Sequence, residues 1–124
     1  MTDQLISFKT AKLAKEKGFH EETQTMTVGE NYPIISNPQE ESPYDWNSRK
    51  GYSIPTQSLL QKWLREKWFI HIVIQVFHST IGKEWTFSAD VFYENGKIDR
   101  SGLTEDTYEE ALEQGLIKAL KLIP

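Results

Sequence analysis

Three histidines, His20, His71 and His78, are the residues of this chain best suited to binding a metal ion, and their spacing argues against it. His71 and His78 stand seven apart in a segment that reads as a strand, where an odd separation sends side chains to opposite faces. The absence of cysteine removes thiolate ligands and any disulfide framework. No metal site and no cofactor are therefore expected. Asp90 and Asp99 flank an Asn95-Gly96 turn and could pair two carboxylates across a hairpin; the simpler expectation is two solvated strand residues. The chain has no Gly-x-Ser-x-Gly, no Gly-rich phosphate loop and no His-Glu-x-x-His. No catalytic residue is assigned, and the protein reads as non-enzymatic.

Binding chemistry has better material. Tyr44, Trp46 and Tyr52 stand beside Arg49 and Lys50, and Trp, Tyr and Arg are the residue types that dominate protein interfaces. These five residues form a candidate patch for a protein partner. The alternative is that Trp46 and Tyr52 fold back over the second helix. Thr56, Gln57 and Ser58 gather hydroxyls, an amide and backbone N–H groups at a helix start, a candidate small-ligand site. Capping of the helix explains the same residues without a ligand.

The elements that must position these groups follow from local signals. Ser7 can cap a first helix running to Glu16 or Lys17, with Gly18 as its left-handed stop and Phe19 folding back on Leu13 or Ala14. Thr23–Val28 alternates and predicts a modest edge strand. From Glu30 to Gly51 the chain holds three Pro and several Asn and Ser, which predicts a long irregular loop. A second helix is expected from about Thr56 to Lys67, with Leu59, Leu60, Trp63 and Leu64 on one face and either Ser53 or Thr56 as cap. Ile70–His78 and Trp85–Tyr93 alternate with period two, and Asn95-Gly96 predicts a type I′ turn into a third strand near Lys97–Arg100. Thr107 and Glu110 read as a capping box. They open a last helix whose apolar stripe runs through Tyr108, Ala111, Leu112, Leu116, Ala119, Leu120 and Ile123. Gly115 within that stripe marks close approach to the sheet.

The 124 residues suit a single domain of 1–124, made of an N-terminal helix in 1–19, the loop of 30–51 and a helix–strand–strand–helix core in 52–124. Hydrophobic residues at 38% and charged residues at 26% are enough for a packed core and exclude a disordered chain. No apolar run, Ile72-Val73-Ile74 among them, exceeds three residues, too short to span a bilayer, and Met1–Gly18 lacks an apolar signal region. A cytoplasmic protein without a membrane partner is expected. The net charge of -4, with acid concentrated at Glu40-Glu41 and from Glu105 to Glu113, argues against a dedicated nucleic-acid binder.

Three blocks carry a family resemblance: SFKTAKLAKEKGF from Ser7 to Phe19, PTQSLLQKWLRE from Pro55 to Glu66, and YEEALEQGL from Tyr108 to Leu116. Together they resemble a family of small uncharacterised proteins of bacteriophages, prophages and Bacteroides-type bacterial genomes. That resemblance implies a mobile-element origin and an intracellular setting, and it implies no activity. The element order from Thr56 to Ile123 also resembles a double-stranded-RNA-binding domain, and its C-terminal half resembles small antitoxins of the sheet-plus-helix type. That RNA-binding family grips phosphates with a basic start to the final helix, where this chain has Glu105, Asp106, Glu109 and Glu110. The expectation is an α+β fold: an antiparallel sheet of three to four strands, two helices packed on one face, and an additional N-terminal helix. Its expected role is that of a non-enzymatic accessory protein of phage or prophage origin that binds another macromolecule. The alternative is a nucleic-acid-binding or antitoxin-like domain.

Overall fold

A computed structural model describes residues 4–36, 44–48, 50–100 and 104–124. The chain is α+β, with three α-helices and two three-stranded antiparallel sheets. It divides into two compact units, 1–60 with Pro124 and Gln61–Ile123.

In the first unit, α1 spans Phe8–Glu16. Its cap is Ser7, whose hydroxyl accepts from the Thr10 amide at 3.3 Å. Gly18 turns the chain left-handed at φ 91°, which places the Phe19 amide 3.0 Å from the Ala14 carbonyl and buries the Phe19 ring completely. The sheet is built from β1 (Thr25–Thr27), β2 (Ile35–Ser36) and β3 (Tyr52–Ser53) in the order β2-β1-β3. β1 is thus the middle strand and not an edge. Thr25 pairs with Ser36 on one side, and Thr27 pairs with Tyr52 on the other. Both partners are two-residue strands, too short to carry a periodic signal of their own. The region expected to be irregular therefore contains β2 and a 3-10 turn at Trp46–Ser48.

Asn47 ties that turn down. Its side-chain amide donates to the Phe19 carbonyl at 2.7 Å, and its side-chain oxygen accepts from the Ser53 amide at 2.9 Å. The residue is buried, and both halves of its amide are satisfied.

α2 spans Gln57–Trp68, with Gln57–Leu60 in the first unit and the rest in the second. Thr56 is its cap, since the Leu59 amide donates to Thr56 Oγ1 at 3.1 Å. Ser53 instead accepts from the Trp46 amide. The helix ends where Phe69 takes φ 55° and the Ile70 amide reaches back to the Leu64 carbonyl at 3.1 Å.

The second unit holds β4 (His71–His78), β5 (Trp85–Tyr93) and β6 (Lys97–Arg100) in that spatial order, followed by α3 (Tyr108–Lys121). The turn into β6 has positive φ at both central residues, 58° at Asn95 and 96° at Gly96, as type I′ requires. Thr107 caps α3 by accepting from the Glu110 amide at 3.1 Å, while its hydroxyl donates to the Glu110 carboxylate at 2.9 Å. α3 packs on β4 and β5. The closest approach is at Gly115, where a Cβ would lie 2.8 Å from Ile72 Cγ2 and 2.9 Å from Ala89 Cβ. Ala111, Leu112, Leu116, Ala119, Leu120 and Ile123 are buried as expected, whereas Tyr108 is 45% exposed, with its ring in a T-shaped contact with Phe87.

Candidate binding surfaces

Register sorts the side chains of β4, β5 and β6 onto two faces. Ile72 lies opposite Val91, and Ile74 opposite Ala89, on the face that α3 covers. Val73 lies opposite Asp90, which in turn lies opposite Arg100, on the face turned away from α3. Here Asp90 is only 4% exposed. Its carboxylate accepts from Gln75 Nε2 at 2.6 Å and has Arg100 Nε at 3.7 Å. The expected carboxylate pair does not form, because Asp99 lies opposite Val91, on the other face. Asp99 there meets Lys118 Nζ at 2.8 Å. Neither residue is a freely solvated strand carboxylate. Around the Gln75–Asp90–Arg100 group stand the exposed side chains of Val73, Phe77 and Ile98.

The β4–β5 hairpin continues past the reach of α3. At its end Val76 is 52% exposed, Trp85 60% and Ile81 97%. The His78 and Trp85 rings lie with centroids 4.5 Å apart. The hairpin is closed by the Ser79 amide donating to the Glu84 carbonyl at 2.9 Å. Two faces of one hairpin tip therefore present large apolar groups. Period-two alternation identifies one such face but gives no sign of where the covering helix stops.

The residues singled out from the sequence are placed as follows. Tyr44 and Trp46 are half-buried and meet edge-on at 4.9 Å, with Trp46 Nε1 donating to the Thr23 carbonyl at 3.0 Å. Tyr52 is also half-buried, against Phe8 at 5.0 Å, with the Lys15 ammonium 4.6 Å from its ring centre. Lys15 Nζ also donates to the Gly51 carbonyl at 2.7 Å. Lys50 is exposed, and Arg49 lies outside the described residues. The aromatics thus form two intramolecular contacts, each with a polar group already engaged within the chain.

At the start of α2, Thr56 caps the helix, and the Gln57 amide donates to the Gln4 carbonyl at 2.8 Å. Gln57 is 3% exposed and Ser58 is exposed. Thr56 also lines an open groove of about 310 Å³ with Leu5, Glu22, Thr25, Ser36 and Leu59. Glu22 on that wall is unfavourable to an anion, the ligand class that a helix start attracts.

His20 is exposed and contacts Asp45 Oδ2 at 3.0 Å. Among the described residues, no three His, Asp or Glu side chains are arranged to hold a metal ion. Among them, too, no helix is long and apolar enough to cross a membrane. Comparison with known protein families, with curated proteins and with solved structures finds no match to the chain.

Proposed function

We propose that this chain is a non-enzymatic accessory protein that works by binding another protein, and that the β4–β5 hairpin is the contact element. The observation that carries this reading is the concentration of exposed apolar side chains on one hairpin. Val73, Val76, Phe77, Ile81 and Trp85 are between 46% and 97% exposed. Single surface hydrophobes are ordinary; five gathered on the two faces of one hairpin are a group that a partner would cover. The same reading takes the mobile-element origin and the intracellular setting from the resemblance of the Ser7, Pro55 and Tyr108 blocks. It also places the buried Trp63 and Leu64 side of α2 on the sheet face that α3 covers. Gln61 Nε2 of the same helix donates to the Ile72 carbonyl at 3.3 Å, at the β4 edge of the sheet.

The test is a tagged pull-down from a host carrying the element, with and without nuclease, using the wild type, Ile81→Asp and Trp85→Ser. A stoichiometric protein that survives nuclease and is lost with either hairpin variant supports the proposal. Retention by both variants, with loss on Lys50→Glu, moves the contact to the Tyr44–Tyr52 region instead.

A second reading has one observation in its favour. The order α2, β4, β5, β6, α3 in the second part of the chain resembles that of a double-stranded-RNA-binding domain. Against it stand the exposed carboxylates of Asp106, Glu109 and Glu110 at the start of α3, where a phosphate backbone would have to approach. An antitoxin-like domain needs no such approach and stays within the binding proposal.

A further inference from the structure

The outer edge of β4 has a chemistry of its own. The Ser79–Glu84 hydrogen bond extends the β4–β5 register, and bonded pairs alternate along an antiparallel ladder. Phe77, Gln75, Val73 and His71 therefore bond to β5, while the N–H and C=O groups of Ile72, Ile74, Val76 and His78 point outward. The Ile72 carbonyl accepts from Gln61 Nε2 at 3.3 Å, so the open stretch begins at Ile74. Among the described residues no strand lies along this side of β4. Natural edge strands are blunted by charge, proline or a bulge. β4 has none of the first two: its eight residues contain no Lys, Arg, Asp, Glu or Pro, although charged residues make up 26% of the chain.

We infer that the outer edge of β4 pairs antiparallel with β4 of a second copy of this chain, about a two-fold axis at Val76. In that register Val76 meets its own copy, Ile74 meets His78, and Gln75 meets Phe77. Apolar groups face apolar or neutral ones at every position, and each outward amide finds a carbonyl. A chain with net charge -4 repels its copy over most surfaces, and an uncharged strand is where two copies approach without that cost. This inference rests on the binding role of the hairpin proposed above and names its partner.

The experiment is sedimentation equilibrium of the full chain from about 1 µM to about 1 mM, with wild type, Val76→Lys and Val76→Pro. Val76→Lys sets two ammonium groups opposite each other. Val76→Pro removes an outward N–H that the β4–β5 ladder does not use, so the hairpin is kept. Expected for the wild type is a concentration-dependent rise to twice the 14.4 kDa chain mass. Both variants should stay monomeric with unchanged circular dichroism. Hydrogen exchange of the wild type should slow at Ile74 and Val76 as concentration rises, a readout that needs no variant. A wild type that is monomeric throughout overturns the inference, as does a dimer that both variants retain. If such a monomer still captures a nuclease-resistant protein through the hairpin, only self-pairing fails. If Ile81→Asp and Trp85→Ser also keep that protein, the hairpin reading fails with it.

Discussion

Single residues of this chain carry sharply opposed demands, and Gly115 shows it best. In a free helix, glycine costs about 1 kcal/mol relative to alanine. Here a Cβ would stand 2.8 Å from Ile72 Cγ2 and 2.9 Å from Ala89 Cβ, both in buried residues that cannot yield easily. Overpacking of this kind costs about 1–3 kcal/mol. Gly115→Ala should therefore lower the midpoint of urea unfolding despite its better helix propensity; a raised midpoint would mean that α3 does not sit that close. Phe69 is the opposite case. It holds φ 55° while the residue is 74% exposed, so its conformation costs energy without core packing in return. Left-handed backbone at a residue with a Cβ costs about 1–2 kcal/mol, and glycine would recover part of it, less about 0.5–1 kcal/mol of its own chain entropy. Phe69→Gly should stabilise by up to about 1 kcal/mol. Such a gain would identify Phe69 as a residue kept for contact and not for folding. A loss of stability would show that the ring packs.

At the level of elements, the helices were readable because their signals are local. Ser7, Thr56 and Thr107 each bond an amide within three residues, and Gly18 stops α1 by its own backbone freedom. The hairpin strands were readable because eight or nine residues alternate without interruption. β2 and β3 were not, since a strand of two residues exists only through its partner, and those partners stand 11 and 27 residues away at Thr25↔Ser36 and Met26↔Ser53. For the same reason β1 looked like an edge. The burial of Asp90 was hidden too: its strand position says outward, and its polar partners Gln75 and Arg100 come from the neighbouring strands. Of the candidate patch, the residue types were legible and their intramolecular partners, Thr23, Phe8 and Lys15, were not. The packing of the elements makes its own prediction. Leu60 and Leu116 are fully buried, one in each compact unit, whereas Lys12 is exposed. Burying an unpaired carboxylate costs several kcal/mol, comparable with the whole stability of a small domain. Leu60→Asp and Leu116→Asp should each abolish cooperative melting followed by circular dichroism, and Lys12→Ala should leave it unchanged. Wild-type melting in either Asp variant would be incompatible with these cores.

Over the whole molecule, charge decides between partners that topology leaves open. The order α2, β4, β5, β6, α3 resembles that of domains that hold duplex RNA, but a resemblance in order does not carry activity. Duplex binding is driven by release of counterions from phosphates as Lys and Arg replace them. This chain has 14 such residues against 18 carboxylates. Several of the cations are already committed: Lys15 to the Gly51 carbonyl, Lys97 to Glu94, and Lys118 to Asp99. The helix start that would have to meet a phosphate carries Glu109 and Glu110 in its first turn, where they favour the helix dipole and repel an anion. Fluorescence anisotropy with a labelled RNA duplex at physiological salt should therefore give binding no tighter than the nonspecific range of about 10⁻⁴ to 10⁻⁶ M. Replacing Asp106, Glu109 and Glu110 by Lys should raise affinity if the topology is competent and only the charge is wrong. Tight binding by the wild type, weakening steeply as salt rises, would overturn the preference for a protein partner. No response even from the Lys variant would separate this arrangement of strands and helices from RNA recognition altogether.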